Sequence, residues 1–97
     1  MGEEDATMTA SAEGTLTNAN GLHARPAHLF VQTANSFASE LWIRRTDMDL
    51  VDGKSIMGVM MLAAEKGVVL ELFSEGVDCH DQIRAILELI ENGFGEE

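Results

Sequence analysis

Apolar positions change their period along the chain, and the changes mark out the elements. Residues 14–18 alternate weakly and predict a first strand. From residue 24 to 36 the period becomes helical, with Ala27, Phe30, Val31, Ala34 and Phe37 on one stripe. Residues 39–45 return to alternation, with Leu41 and Ile43 on one face. A short strand over 48–51 follows, bracketed by the turn signals Thr46-Asp47 and Asp52-Gly53. Ser55 is a good N-cap for a second helix over 56–65, which Gly67 ends. Its residues Val59, Leu62 and Ala63 form a core face. Residues 68–73 predict a last strand, with Leu70 and Leu72 opposite Val69 and Phe73 and a turn at Glu75-Gly76. Asp78 then caps a final helix to about residue 92, striped by Ile83, Ile86, Leu87 and Ile90 and stopped by Gly93, with Phe94 packing back on the core.

The order βαββαβα with short connections predicts an α+β domain, its amphipathic helices covering one face of an open antiparallel sheet. Residues 1–12 are small, polar and acidic without periodicity, and are expected to be a flexible acidic tail before a domain spanning 13–97. A chain of 97 residues can bury one core but not two. No repeat or second domain is visible.

Composition narrows the function classes. The net charge of −11 with six basic residues argues against nucleic acid, because a broad cationic face cannot be built. No apolar run approaches the length of a membrane span, so no membrane insertion is expected. The acidic start lacks the apolar stretch of a secretory signal, and the single cysteine, Cys79, suits a reducing cytoplasm.

Candidate chemistry centres on Asn20-Gly21-Leu22-His23-Ala24-Arg25-Pro26-Ala27. Good helix formers follow residue 24, and Pro26 fits a first helical turn, which puts His23 at or next to an N-cap. The first N–H groups of a helix lack partners and its dipole makes that end positive, so it is an anion site to which Arg25 adds a permanent charge. Such a setting favours an uncharged imidazole with a lone pair free to attack phosphorus. Spacing and charge alone leave two readings of His23: a phosphoryl-accepting nucleophile, or an ordinary surface or capping histidine.

The second helix is apolar on more than one side. Ile56, Met57 and Met60 point away from the face of Val59 and Leu62, and are either packed inside or an exposed, adaptable docking patch. Lys54 stands directly before Ser55, a second cation at a helix start. Metal binding is not expected: His23 and His28 lie five apart, about 140° around a helix, and Cys79-His80 is a lone adjacent pair. His28 and His80 read as surface residues. Gly53-Lys54-Ser55 resembles the end of a P-loop, but Met48 stands where its upstream glycine belongs.

With Gly-Leu-His-Ala-Arg-Pro-Ala at 21–27 and Gly-Lys-Ser-Ile-Met-Gly-Val-Met at 53–60, the chain resembles the HPr family. These are the histidine-containing phosphocarriers of the phosphoenolpyruvate-dependent sugar phosphotransferase system. The likeness runs from about residue 13 to the end, through Gly67, Glu75-Gly76-Val77-Asp78 and Phe94-Gly95-Glu96. It implies an open-faced β-sandwich, sheet order 1-4-2-3, with three helices on one face. It implies that His23 takes a phosphoryl group on Nδ1 from enzyme I and passes it to enzyme IIA domains. Arg25 would stabilise that group, and Ala24 and Arg25 would supply backbone N–H donors. The chain would be a monomeric, cytoplasmic, stoichiometric carrier without a cofactor, and not a free-standing enzyme. Ser55 matches the serine that HPr kinase/phosphorylase modifies, although a serine there also caps a helix. A phosphate on it would add charge beside the docking surface, which in this family includes Ile56, Met57 and Met60. Two features depart from the sugar-transport members: a longer tail, and Met61-Leu62-Ala63-Ala64, also seen in members serving regulatory or nitrogen-related systems. The alternative output is therefore control of a kinase or of transcription.

Overall fold

The computed structural model describes residues 8–96. In chain order the elements are β1 (Thr9–Thr15), α1 (Ala24–Asn35), β2 (Glu40–Arg45), β3 (Val51–Asp52), α2 (Ile56–Met61), β4 (Val69–Glu75) and α3 (Cys79–Glu91), then a 3-10 turn at Gly93–Gly95. The strands form one four-stranded sheet in the order β1-β4-β2-β3, antiparallel throughout. The helices lie on one face of it, and the expected α+β architecture and strand order are both present. The inward positions Leu41, Ile43, Leu70 and Leu72 meet Phe30, Val59, Ile86 and Ile90 from the helices, all fully buried. Trp42 and Phe73, on the alternate positions, face away from the helices.

Three elements differ from the sequence expectation, each for a physical reason. β1 begins at Thr9, so residues 9–12 belong to the sheet rather than to a tail; of the rest of that expected tail, residues 1–7 lie outside the described residues and Met8 is exposed just before the strand. Its inward residues are Ala10, Ala12 and Gly14, too small to show as a hydrophobic alternation. They are small because α3 comes close: a Cβ on Gly14 would lie 3.1 Å from Ile90 Cδ1. β3 is only Val51–Asp52, opposite Ile43 and Trp42, because the Met48 amide donates to the Arg45 carbonyl and the chain is still turning at residue 48. α2 stops at Met61 instead of reaching residue 65. The Arg45 guanidinium takes the Leu62 carbonyl at 3.1 Å, and Ala63 turns left-handed at φ 48°. Ala63 is consequently exposed, and Ala64 takes the buried place.

Asp78 holds the N-cap position of α3, but its carboxylate does not cap the helix. It accepts instead from the backbone N–H groups of Ala38 and Ser39, at 2.9 and 2.8 Å, and from the Ser39 hydroxyl. The Ser39 hydroxyl and the Ala38 N–H hold its pKa below the ordinary carboxylate value. Since folding favours the anion, this staple stabilises the fold above the ordinary carboxylate range and is lost as pH falls through the lowered folded value. Asp78→Asn should therefore lower the melting temperature at neutral pH and flatten its decline between roughly pH 5 and 2, as read by circular dichroism.

Candidate functional site

The loop before α1 is shaped by backbone requirements. Gly21 adopts φ 59°, and a Cβ there would stand 2.3 Å from the Ala64 carbonyl oxygen. That close approach lets the Leu22 amide donate to the Ala64 carbonyl at 2.9 Å, and Leu22 is buried. The His23 loop is thereby tied to the chain leaving α2.

His23 is the N-cap residue of α1, extended at φ −76° and ψ −171°, as the sequence indicated. Its side chain makes no capping hydrogen bond. The backbone donors at this helix start come from Ala24 and Arg25. Pro26 has none, and Ala27 already donates to the His23 carbonyl at 3.0 Å. The imidazole turns instead to Glu96, with Nε2 lying 3.1 Å from Oε2 and 3.2 Å from Oε1. The side chain is 40% exposed, so the ring is accessible while one nitrogen is held.

Glu96 has been missed by sequence reasoning, being 73 positions from His23. It arrives on the strap formed by the turn Gly93–Gly95. Phe94 anchors that turn: it is buried although its φ is 58°, a strained value for a residue with a Cβ. Asn18 completes the cluster; its buried amide nitrogen donates to the Gly21 carbonyl at 2.7 Å and to Glu96 Oε1 at 3.1 Å. Glu96 has its pKa lowered, first by the Asn18 amide, next by the bond with His23, and further by the charges of His23 and Arg25.

These contacts specify a tautomer. An ionised carboxylate only accepts, so the Nε2 of a neutral His23 ring must carry the proton, and the lone pair falls on Nδ1. Among the described residues Nδ1 has no hydrogen-bond partner, and Arg25 is exposed with its guanidinium uncommitted to any hydrogen bond. A tetrahedral anion bonded to Nδ1 would meet a helix N-terminus and that guanidinium together.

The second motif is arranged differently from the first. Ser55 caps α2, its hydroxyl oxygen accepting from the Gly58 amide at 3.2 Å. Lys54 is not a free cation at that helix start, because its Nζ donates to the Phe37 carbonyl at 2.9 Å, near the end of α1. Ile56, Met57 and Met60 are exposed, Met57 by 72% of its surface, and Met61 joins them. His28 and His80 are exposed. Among the described residues no three His, Cys, Asp or Glu side chains cluster to hold a metal ion, and no helix is long and apolar enough to cross a membrane. A shallow concavity on the open sheet face, between Trp42, Phe73 and Ser11, includes none of these site residues.

The family model described as the PTS HPr component phosphorylation site matches residues 10–92. The chain is 51% identical over 81 residues to the phosphocarrier protein HPr of Neisseria meningitidis, covering 84% of this chain and 90% of that protein. It is 46% identical over 84 residues to the phosphocarrier protein HPr of Pseudomonas aeruginosa, covering 87% and 93%. Among solved structures, HPr-C-His from Thermoanaerobacter tengcongensis superposes with a TM-score of 0.86 at 46% identity, covering 91% of this chain and 98% of that one.

Proposed function

This chain belongs to the HPr family of phosphotransferase-system phosphocarriers, and on that footing we propose that His23 receives a phosphoryl group on Nδ1 from phosphorylated enzyme I and delivers it to enzyme IIA domains. The observation that carries this reading is the Glu96 contact, which occupies Nε2 and leaves the lone pair on Nδ1 at the start of α1. In the forward step that lone pair attacks phosphorus, an Nδ1–P bond forms and the bond from phosphorus to the donor breaks. The proton on Nε2 stays where it is, against Glu96. Arg25 and the N–H groups of Ala24 and Arg25 meet the charge on the transferring oxygens, and the reverse sequence passes the group on. Nothing else is consumed, which makes the chain a stoichiometric carrier; the proposed setting is a monomer in the cytoplasm.

Incubation with enzyme I and labelled phosphoenolpyruvate should add one acid-labile phosphoryl group per chain. An acid-stable phosphate, or none, would count against the reading. Arg25→Ala should slow the transfer roughly a hundredfold, in the range seen when a donor to a developing anion is removed, with the melting temperature unchanged. A folded Arg25→Ala protein that transfers at the normal rate would remove Arg25 from the mechanism.

The same reading assigns Ile56, Met57 and Met60, with Met61, to partner docking. Large apolar side chains stay in water there although Val59 and Leu62 already supply the inward contacts of α2. Met57→Glu should weaken binding to enzyme I at least tenfold in calorimetric titration, the loss of about 1.4 kcal/mol, with little change in stability. A large fall in melting temperature would instead make Met57 structural. Ser55 is the proposed regulatory site for an HPr kinase/phosphorylase. Its hydroxyl oxygen is the acceptor for Gly58, so modification would exchange a cap for a dianion at the edge of the docking patch.

A further inference from the structure

We propose that Asn18 is a positioning residue for the phosphoryl acceptor, acting through Glu96 to decide which nitrogen of His23 carries the proton. The inference rests on the reading of Nδ1 as the nucleophile and extends it to a buried residue that, among the described residues, shares no hydrogen bond with His23.

Asn18 is buried, and both acceptors of its amide nitrogen are oxygens: the Gly21 carbonyl and Glu96 Oε1. Two acceptors cannot face an amide oxygen, so the orientation of the amide follows from its partners. Its own Oδ1 is buried with no hydrogen-bond partner among the described residues. A half-satisfied buried amide is a poor device for stability, since the orphaned carbonyl has lost its water. The retained half is what the site uses. One N–H shapes the loop through Gly21, and the other claims Oε1, leaving Oε2 at 3.1 Å from Nε2 of His23. The turn carrying Glu96 passes close to Asn18: a Cβ built on Gly93 would be 3.7 Å from the Asn18 Cβ. Nε2 of His23 also lies 3.2 Å from Oε1, so Asn18 distinguishes the two oxygens of Glu96: Oε1 is shared with its own amide, and Oε2 is left to the imidazole alone.

Glu96→Gln tests this ordering. With Asn18 present, the new amide should put its oxygen on the Asn18 N–H and its NH2 group toward His23. Nε2 then becomes the acceptor, and the proton moves to Nδ1. Nitrogen-15 chemical shifts of His23, read at a pH where the ring is neutral, should show mainly Nε2–H in the unmodified chain and mainly Nδ1–H in Glu96→Gln. Adding Asn18→Ala frees the glutamine amide to turn over and should restore a large Nε2–H population. The maximal rate of phosphorylation by enzyme I should fall roughly tenfold in Glu96→Gln at unchanged KM, as for residues that orient a ligating histidine, and recover in part in the double variant. If Glu96→Gln keeps the Nε2–H form, the proposal is overturned, whether or not the double variant folds. It is overturned equally if the Nδ1–H form survives removal of Asn18. The tautomer is read on the free chain with no phosphoryl donor. A chain that enzyme I cannot label would thus sink the proposed function while the nitrogen shifts still decided the role of Asn18.

Discussion

His23→Ala abolishes phosphoryl acceptance from enzyme I, with labelling falling to background while the fold is kept. The loss is total because the reaction needs a nitrogen lone pair at the start of α1, and the other histidines, His28 and His80, lie elsewhere on exposed helix surface. The fold survives because the His23 side chain caps nothing, and its role in α1 is played by its backbone, whose carbonyl accepts from Ala27 at 3.0 Å. Labelling with phosphoenolpyruvate and a thermal melt on the same preparation check both halves. Residual acid-labile label in a folded His23→Ala protein would move the acceptor to another residue.

The largest effect on stability is expected at Gln82, fully buried in the first turn of α3. Its Nε2 donates to the carbonyls of Ala34 and Ser39 at 3.0 and 3.1 Å, and its Oε1 accepts from the Ser74 hydroxyl. One side chain thus joins the end of α1, the entry to β2 and the inner face of β4. Gln82→Leu fills similar volume but strands the Ser39 carbonyl and the Ser74 hydroxyl away from water, while the Ala34 carbonyl keeps the Phe37 amide at 3.3 Å. At about 1 kcal/mol or more for each stranded group, the loss is about 2 kcal/mol. For a domain of this size that is a fall of roughly 10 °C in melting temperature, measurable by calorimetry or urea titration. Ser74→Ala added to it should not cost as much again, because the hydroxyl it removes is already unsatisfied. Near-native stability in Gln82→Leu would show that water replaces the amide.

Much of this architecture was legible because it is carried by local periodicity. Leu41 and Ile43, Leu70 and Leu72, and the α3 stripe through Ile83, Ile86 and Ile90 bury where alternation or helical spacing placed them. What escaped depends on distant partners. β1 looked like a tail because its inward residues are small, and that makes sense only once α3 is known to lie against Gly14. α2 is shortened by Arg45, a residue of β2 that reads as an ordinary strand cation. Lys54 looked like a second cation at a helix start and is committed to the carbonyl of Phe37.

The same division runs through the site. His23, Arg25 and Ser55 sit at helix starts that capping rules can find, and the structure puts His23 and Ser55 at N-cap positions. Asn18 and Glu96 obey no periodicity, and the 78 positions between them leave no local signal. A hint was present in Gly93-Phe94-Gly95, where two glycines flank an aromatic after a helix stop. Such a turn brings the chain back over the core instead of letting it trail away.

The central claim is that Nδ1 of His23, freed by the hold of Glu96 on Nε2, is the atom that carries the phosphoryl group. The direct measurement is heteronuclear NMR of the chain, labelled with nitrogen-15 at histidine and phosphorylated by enzyme I and phosphoenolpyruvate. A phosphorus–nitrogen coupling to Nδ1 of His23, with the proton retained on Nε2, is the predicted result. Coupling to Nε2, or phosphorus on any other residue, would contradict it.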